Sequence, residues 1–232
     1  MRQLPLRVRL RDSARFASFL PGRNAEAFAL LSGDAPTLPR TLWLWGRAGT
    51  GKSHLLQAAC AAAGERGGTA AYFDLATTLD SALLEGCEAL DFVCLDNLDA
   101  VAADERWNAA IFRLYTLMQD GRGRLLAAST APPASLPLAL PDLRSRLLAS
   151  SVHQLHELDE AGRLAALQLR ASRRGLDLSQ EAALYLVHRL PRDLHSLFAV
   201  LDQLDEAALA AQRRLTIPFL REALEARLAE EG

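Results

Sequence analysis

A glycine-rich segment at residues 46–53, with the sequence GRAGTGKS, constrains most strongly what this chain can fold into. It matches the full GxxxxGK[ST] pattern of a phosphate-binding P-loop. Residues 42–45 are apolar and are predicted to form a buried strand, and the Ala- and Leu-rich residues 53–63 are predicted to form a helix. Backbone N–H groups of such a loop and the positive end of the helix can face the same anion. We therefore predict a nucleotide site that includes Gly46, Ala48, Gly49, Thr50, Gly51, Lys52, Ser53 and His54.

The use of lysine in this chain supports that prediction. All but one of the 26 basic residues are arginine, and Lys52 is the single lysine. A slim ammonium on a flexible stem fits between the β- and γ-phosphates of a nucleotide, where the wider guanidinium generally fits poorly. A chance glycine-rich turn is the alternative, and the lone lysine argues against it. The expected cofactor is ADP or ATP.

A nucleotide site of this kind needs an acid that positions Mg²⁺, at the end of a later apolar strand. Residues 92–95 form such a run, which ends at Asp96. We predict that Asp96 holds the hydration shell of the Mg²⁺ as a Walker B aspartate does, and that the Ser53 hydroxyl binds the metal directly. An ordinary aspartate that caps the following helix is the alternative for Asp96.

Strand and helix patterns alternate through the rest of the first two thirds of the chain. Residues 69–73 and 124–129 are predicted strands, and residues 77–84 and 104–118 are predicted helices. Such alternation with right-handed crossovers predicts an α/β fold with a doubly wound parallel sheet.

The pattern changes after about residue 158 to helical spacing without strands. The apolar residues follow this spacing at residues 160–172, 179–189, 194–212 and 217–229. We predict an N-terminal peptide plus a nucleotide-binding domain at residues 1–157 and a small all-helical lid at residues 158–232.

Composition excludes several classes of protein. No apolar run approaches the roughly 18 residues of a membrane span, and the N-terminus lacks a secretion signal, so we expect a cytoplasmic protein with no membrane contact. The 26 basic residues are balanced by 28 acidic ones, which gives no general reason to expect tight binding to a phosphate backbone, and we expect no sequence-specific DNA binding. Cys60, Cys87 and Cys94 lie in apolar stretches without metal-ligand spacing and are predicted to be core thiols.

Short segments spread along the whole chain are similar to those of one family. They are residues 16–24 (FASFLPGRN), 94–98 (CLDNL), 141–147 (PDLRSRL), 201–205 (LDQLD) and 215–219 (LTIPF). In these segments the chain resembles the Hda family, the DnaA-homologous AAA+ regulators that inactivate the replication initiator DnaA. The resemblance implies a P-loop AAA+ parallel sheet flanked by helices and followed by a helical lid. It also implies that the helix-turn-helix domain with which DnaA binds its origin boxes is absent.

The resemblance implies roles for residues outside the P-loop. Phe16, Phe19, Gly22 and Asn24 would approach the adenine, with plain core packing as the alternative for the two phenylalanines. Ser129, at the polar end of the strand at residues 124–129, would lie at the position of a γ-phosphate sensor.

An arginine finger is also implied by the resemblance. Arg146 would reach across a subunit interface to the γ-phosphate of ATP on DnaA, with a surface helix residue as the alternative. Arg144, two residues earlier, is expected to be such a surface residue. A finger supplied in trans raises hydrolysis about 10³–10⁵-fold in related GTPases. The implied partner is therefore DnaA, and a homodimer or larger oligomer is left open.

Two positions depart from the family pattern. Asn97 follows the Walker B aspartate where self-hydrolysing AAA+ proteins carry a second acid, and an amide cannot take a proton from water near neutral pH. We therefore expect little intrinsic ATPase activity. His195 stands at the position of the sensor-2 arginine of the DnaA family, so either Arg192 replaces that arginine or the contact is weakened.

The N-terminal peptide suggests a second partner. Gln3, Leu4 and Leu6 form a short motif similar to the Gln-Leu-x-Leu peptide with which Hda proteins bind the apolar groove of the β sliding clamp. An ordinary edge strand is the alternative, and an arginine-lined strip that touches DNA within the clamp is a third.

Three classes of function remain from the sequence. The first is a nucleotide-bound negative regulator of replication initiation, tethered to a DNA-loaded clamp, that promotes hydrolysis of DnaA-bound ATP. The second is an adaptor or helicase loader that uses the P-loop only as a switch. The third is a self-contained ATPase, which Asn97 disfavours.

Overall fold

The computed structural model describes residues 14–33, 38–191, 193–211 and 214–230. The chain divides into two compact units, Met1–His156 and Glu157–Gly232. The predictions for Gln3, Leu4, Leu6 and Arg192 lie outside the described residues, as does the prediction for the side chain of His195. None of the helices in the described part of the chain combines the length and the apolar character that a membrane span requires.

The first unit is built on a five-stranded parallel sheet. The strands are β1 (Thr41–Trp45), β2 (Ala70–Asp74), β3 (Phe92–Asp96), β4 (Arg124–Ser129) and β5 (Ser151–Gln154). Their order in the sheet is β2-β3-β4-β1-β5, and every neighbouring pair is parallel. All carboxyl ends therefore lie along one edge of the sheet, which is where α/β proteins bind their ligands.

Helices flank this sheet. They are α1 (Ala25–Ser32), α2 (Lys52–Glu65), α3 (Glu105–Asp120) and α4 (Pro141–Leu148), with short 3-10 turns at Phe16–Ser18, Gly22–Asn24, Ser81–Leu84, Cys87–Ala89, Leu98–Val101 and Pro133–Ser135. The α/β fold predicted from the sequence is confirmed. The strands at residues 92–96 and 124–129 agree with the predicted ones to within a residue.

Two local predictions differ from the structure. The predicted helix at residues 77–84 is wrong, because only Ser81–Leu84 forms a 3-10 turn. The hydroxyls of Thr77 and Thr78 both donate to the carbonyl of Asp74, and this local bonding competes with a helix. Strand β5 was not predicted, because its four residues SVHQ contain no apolar run.

The two faces of the sheet bury separate apolar layers. Trp43, Leu95 and Leu125 pack on the face covered by α3. Leu44 and Leu126 pack with α2 on the opposite face. Alternate residues of each strand point to opposite faces, so the nearly continuous apolar runs of β1, β3 and β4 fill both layers.

The three cysteines support the prediction of core thiols. Cys60, Cys87 and Cys94 are free and buried. Burial raises the pKa of the Cys87 and Cys94 thiols, which disfavours reactive thiolate.

The second unit is a helical bundle of α5 (Glu160–Arg173), α6 (Gln180–Arg189), α7 (Leu194–Ala211) and α8 (Ile217–Glu230). Leu167, Leu186, Leu201 and Leu220, one from each helix, are completely buried in its core. The side chain of Ser179 caps α6 by accepting from the N–H of Ala182. The helical character predicted for this region is confirmed.

Candidate functional site

The loop between β1 and α2 has a backbone that glycine alone adopts readily. Gly46 and Gly51 have φ angles of 155° and 95°. A Cβ on Gly46 would lie 2.4 Å from the carbonyl oxygen of Leu155, and one on Gly51 would lie 2.6 Å from a ring carbon of Phe19. Both positions therefore exclude larger residues, and the loop leads directly into the N-terminus of α2 at Lys52. A helix N-terminus that follows such a loop is suited to bind phosphate.

The side chain of Lys52 lies within this loop. It is only 6% exposed, and its Nζ donates to the carbonyls of Gly46 at 2.7 Å and Arg47 at 2.9 Å. Burial lowers the pKa of the Lys52 ammonium, while the charges of Asp96 and Asp99 raise it. The hydroxyl of Thr50 also donates to the carbonyl of Arg47, which stiffens the loop.

Asp96 ends β3 at the same edge of the sheet and is completely buried. Its Oδ2 accepts a hydrogen bond from the hydroxyl of Tyr72 at 2.7 Å, and its Oδ1 accepts one from the N–H of Asn97 at 2.9 Å. Carboxylate and hydroxyl oxygens are ligands that Mg²⁺ prefers, so the Asp96 carboxylate and the exposed Ser53 hydroxyl have the chemistry that a magnesium site needs.

The side chain of Asn97 is directed towards β2. This residue adopts the left-handed conformation with φ 54°, and its Nδ2 donates to Oδ1 of Asp74 at 2.8 Å. Strand β2 lies on the side of β3 that is away from β4 and β1, and the P-loop follows β1. The Asn97 amide is therefore held by the strand farthest from the loop that would bind phosphate.

Ser129, the residue with an implied sensor role, makes hydrogen bonds within its own unit. Its side chain is completely buried, and its Oγ accepts from Nε1 of Trp43 at 2.8 Å and donates to the carbonyl of Ala131 at 2.5 Å. The hydroxyl proton is thus already used. The neighbouring Thr130 is exposed, and its N–H donates to Oδ1 of Asp99 at 2.8 Å.

The aromatic residues predicted for the adenine form a small cluster. Phe19 stacks on Phe28 with ring centroids 5.7 Å apart, and Phe16 meets Phe28 edge-on at 5.9 Å. The Phe19 ring also lies 5.6 Å from the ring of His54, whose Nε2 is 2.9 Å from the carbonyl oxygen of Arg15. These contacts join the segment before α1 to the start of α2, beside the P-loop.

Asn24 has a structural partner. Its Nδ2 donates to the carbonyl of His156 at 2.9 Å, and its Oδ1 accepts from the N–H of the same residue at 2.7 Å. With 4% of its surface exposed, the amide is bonded at both ends to the backbone that follows β5. Gly22, two residues earlier, has a φ angle of 50° at the start of the 3-10 turn.

The two arginines of α4 differ in their surroundings. Both are exposed, and Nη2 of Arg144 donates to the carbonyl of Ala134 at 2.6 Å. Within the described part of the chain, the guanidinium of Arg146 has no hydrogen bond or ion pair. Arg146 is therefore the one of the two that is available to another molecule.

Tyr72, Asp74 and Asp99 contact the site but were not predicted from the sequence. A partial signal was present, because two adjacent parallel strands that both end in aspartate place residues 74 and 96 side by side. The direction in which Tyr72 points could be found only from the packed sheet.

Comparisons with known proteins agree with this fold. A family model described as "Hda, lid domain" matches residues 159–224. Domain III of the Thermotoga maritima replication initiation protein DnaA is 16% identical with a TM-score of 0.78, over 93% of this chain and 97% of that one. AMPPCP-bound DnaA from Aquifex aeolicus is 21% identical with a TM-score of 0.74, over 96% of this chain and 70% of that one.

A structure described as a DNA replication initiation factor is also similar. It is 21% identical with a TM-score of 0.71, over 83% of this chain, and this chain spans 64% of its length.

The P-loop, the parallel sheet and the helical second unit together define an AAA+ module. In its fold the chain is similar to DnaA, and in residues 159–224 it is similar to the lid domain of Hda.

Proposed function

We propose that this protein is a nucleotide-bound negative regulator of replication initiation that promotes hydrolysis of ATP on DnaA through Arg146. The observation that carries the proposal is the contrast on α4. Arg144 is bonded to the backbone of its own chain, whereas Arg146 is exposed and has no partner within the described residues. An exposed guanidinium on a Hda/DnaA-like module is suited to stabilise charge on a phosphoryl group in another subunit.

The nucleotide proposed for the P-loop is ADP or ATP. The position of Lys52, the start of α2 and the likeness to AMPPCP-bound DnaA support this part of the proposal. Ser53 and, through water, Asp96 would hold Mg²⁺, which neutralises phosphate charge when bound. In this chain Lys52 holds the phosphates, α2 directs its N-terminal N–H groups at them, and the Phe16 and Phe19 segment lies beside the loop.

Hydrolysis in this chain's own site is expected to be slow. Asp96 accepts hydrogen bonds on both oxygens, and the amide of Asn97 is held by Asp74 and cannot take a proton from water. The nucleotide of this chain therefore serves as a structural element, and the chemistry that Arg146 promotes occurs on the partner.

Recruitment is proposed to occur through the N-terminal peptide. In an extended segment, Leu4 and Leu6 point the same way and can enter one apolar groove of the β sliding clamp, while the Gln3 amide bonds to backbone. A tether of this kind raises the effective concentration of a weak contact in trans.

The deciding experiment measures hydrolysis of DnaA-bound ATP with DNA-loaded clamp, comparing the wild type, Arg146→Ala and the matched control Arg144→Ala. We expect Arg146→Ala to abolish stimulation while its melting temperature and nucleotide affinity stay unchanged, and Arg144→Ala to retain stimulation. Full stimulation by Arg146→Ala would refute the finger. Absence of stimulation by the wild type would favour the adaptor or loader alternative, and rapid hydrolysis without DnaA would favour the self-contained ATPase.

Two further variants separate the parts of the proposal. Lys52→Ala should lose nucleotide binding by calorimetry, because the phosphates lose a charge-assisted contact inside a preformed loop. Replacing Gln3, Leu4 and Leu6 with Ala should abolish clamp pull-down and stimulation of DnaA but leave nucleotide binding intact. Unchanged clamp binding by this triple variant would show that the segment is not the docking peptide.

A further inference from the structure

The hydroxyl of Tyr72 lies between two parts of the candidate site that are far apart in sequence. It donates to Oδ2 of Asp96 at 2.7 Å, and it also interacts with Gln57 of the P-loop helix α2. The ring is partly buried and packs in the apolar layer that α2 covers. Tyr72 therefore connects the helix that begins at the P-loop with the strand that ends in the Walker B aspartate.

This contact fixes the orientation of the Asp96 carboxylate. One oxygen accepts from the Tyr72 hydroxyl and the other from the backbone N–H of Asn97, so rotation about the last side-chain bond would break both hydrogen bonds. The side chain is completely buried, so losing either hydrogen bond costs free energy. A carboxylate oxygen can accept more than one hydrogen bond or metal contact, so both oxygens keep acceptor capacity.

The packing of the Tyr72 ring determines where its hydroxyl lies. Tyr72 is on β2 and is paired with Cys94, so its side chain leaves the sheet on the α2 face, two residues before Asp96 in register. The hydroxyl reaches Asp96 because the ring lies along this face. Tyr72 belongs to neither the P-loop motif nor the Walker B motif, and the pairing of β2 with β3 places it beside Asp96.

We propose that Tyr72 is a positioning residue for Mg²⁺-dependent nucleotide binding, because its hydroxyl holds Asp96 in the orientation that the metal site requires. The proposal rests on the nucleotide site of the proposed function. Groups that hydrogen-bond to direct metal ligands typically contribute 10–100-fold to metal affinity. Because Asp96 acts through water, we take the lower end of this range, and loss of the Tyr72 hydroxyl should lower the apparent affinity for Mg²⁺ about 10-fold in the presence of nucleotide.

The test titrates ADP calorimetrically into the full chain, in EDTA and over a range of Mg²⁺ concentrations. Tyr72→Phe keeps the ring and removes the hydroxyl. Tyr185→Phe is the matched control, because the Tyr185 hydroxyl is buried without a hydrogen-bond partner in the described part of the protein. We expect Tyr72→Phe to bind ADP like the wild type in EDTA and to need about 10-fold more Mg²⁺, whereas Tyr185→Phe should match the wild type in both buffers.

The double variant Tyr72→Phe with Asp96→Asn supplies the second measurement. If Tyr72 acts through Asp96, Asp96→Asn alone should raise the Mg²⁺ requirement and the added Tyr72→Phe should change it no further. Equal weakening of ADP binding by Tyr72→Phe in EDTA and in Mg²⁺ would reveal a purely structural role and overturn the inference. So would additive effects in the double variant. Failure of the wild type to bind ADP in either buffer would instead overturn the nucleotide site itself.

Discussion

Asn24→Ala tests whether the Asn24 side chain stabilises the fold through its hydrogen bonds to the backbone of His156 or contacts the adenine. The substitution removes the hydrogen bonds of 2.9 and 2.7 Å by which the amide holds the carbonyl and the N–H of His156. A hydrogen bond contributes about 0.5–1.5 kcal/mol net, and leaving a buried partner unsatisfied costs about 1–3 kcal/mol. Because His156 is partly exposed, water can satisfy part of this loss, and we expect a total of about 2–3 kcal/mol.

This loss should be visible without any nucleotide. For a protein of this size, about 2–4 °C of melting temperature is lost per kcal/mol, so Asn24→Ala should melt roughly 5–10 °C below the wild type. Urea titration of the nucleotide-free protein gives the free energy of unfolding directly. Arg23→Ala is the matched control, because Arg23 is exposed in the same 3-10 turn and its replacement should change stability by less than about 0.5 kcal/mol.

The opposite result has a clear meaning. Suppose that Asn24→Ala changed the stability of the nucleotide-free protein by less than about 0.5 kcal/mol but weakened ADP binding. The hydrogen bonds to His156 would then add nothing to the free energy of unfolding, and the residue would be an adenine contact. If the substitution lowered stability as expected and left ADP affinity intact, the adenine role implied by the family resemblance would be excluded for this position.

Three shorter predictions concern the sheet edge and the P-loop. Asn97→Glu should not raise ATP turnover, because residue 97 lies beside β2, the strand farthest in the sheet from β1 and its P-loop; a tenfold rise in a phosphate-release assay would contradict that geometry. Gly51→Ala should weaken ADP binding measured by calorimetry, because the new Cβ would lie 2.6 Å from the ring of Phe19. Gly64→Ala should bind ADP normally, because no atom lies within 4 Å of its new Cβ; equal affinities of the two variants would show that the P-loop has room for a side chain at residue 51. Hydrogen bonds from Thr69 lower the pKa of Asp91. The ionised Asp91 therefore stabilises the folded protein above the unfolded pKa of about 3.9, and this contribution is lost as pH falls through the folded pKa. The melting-temperature difference between the wild type and Asp91→Asn should therefore shrink only in acid, and a difference that persisted at the lowest pH would contradict this assignment.

Much of the fold followed from local patterns. The P-loop at residues 46–53, the apolar run that ends at Asp96 and the helical spacing after residue 158 each lie within a short stretch of sequence. Backbone conformation and burial in such stretches follow from the residues themselves. Glycine permits the positive φ angles of the loop, and a strand of consecutive apolar residues is stable where both faces of the sheet are covered. The short polar strand β5 carries no such pattern, and pairing with β1 makes it a strand.

The sequence by itself determined which residues could bind a phosphate and where most of the strands and helices would lie. Only the tertiary structure decided the orientations of the side chains at the edge of the sheet. Ser129 is turned inward by Trp43, which lies 86 residues away, and Asn24 is bonded to a backbone 132 residues away. These directions depend on hydrogen bonds between segments that are distant in the chain, and buried polar groups take whichever partners the packed core brings to them.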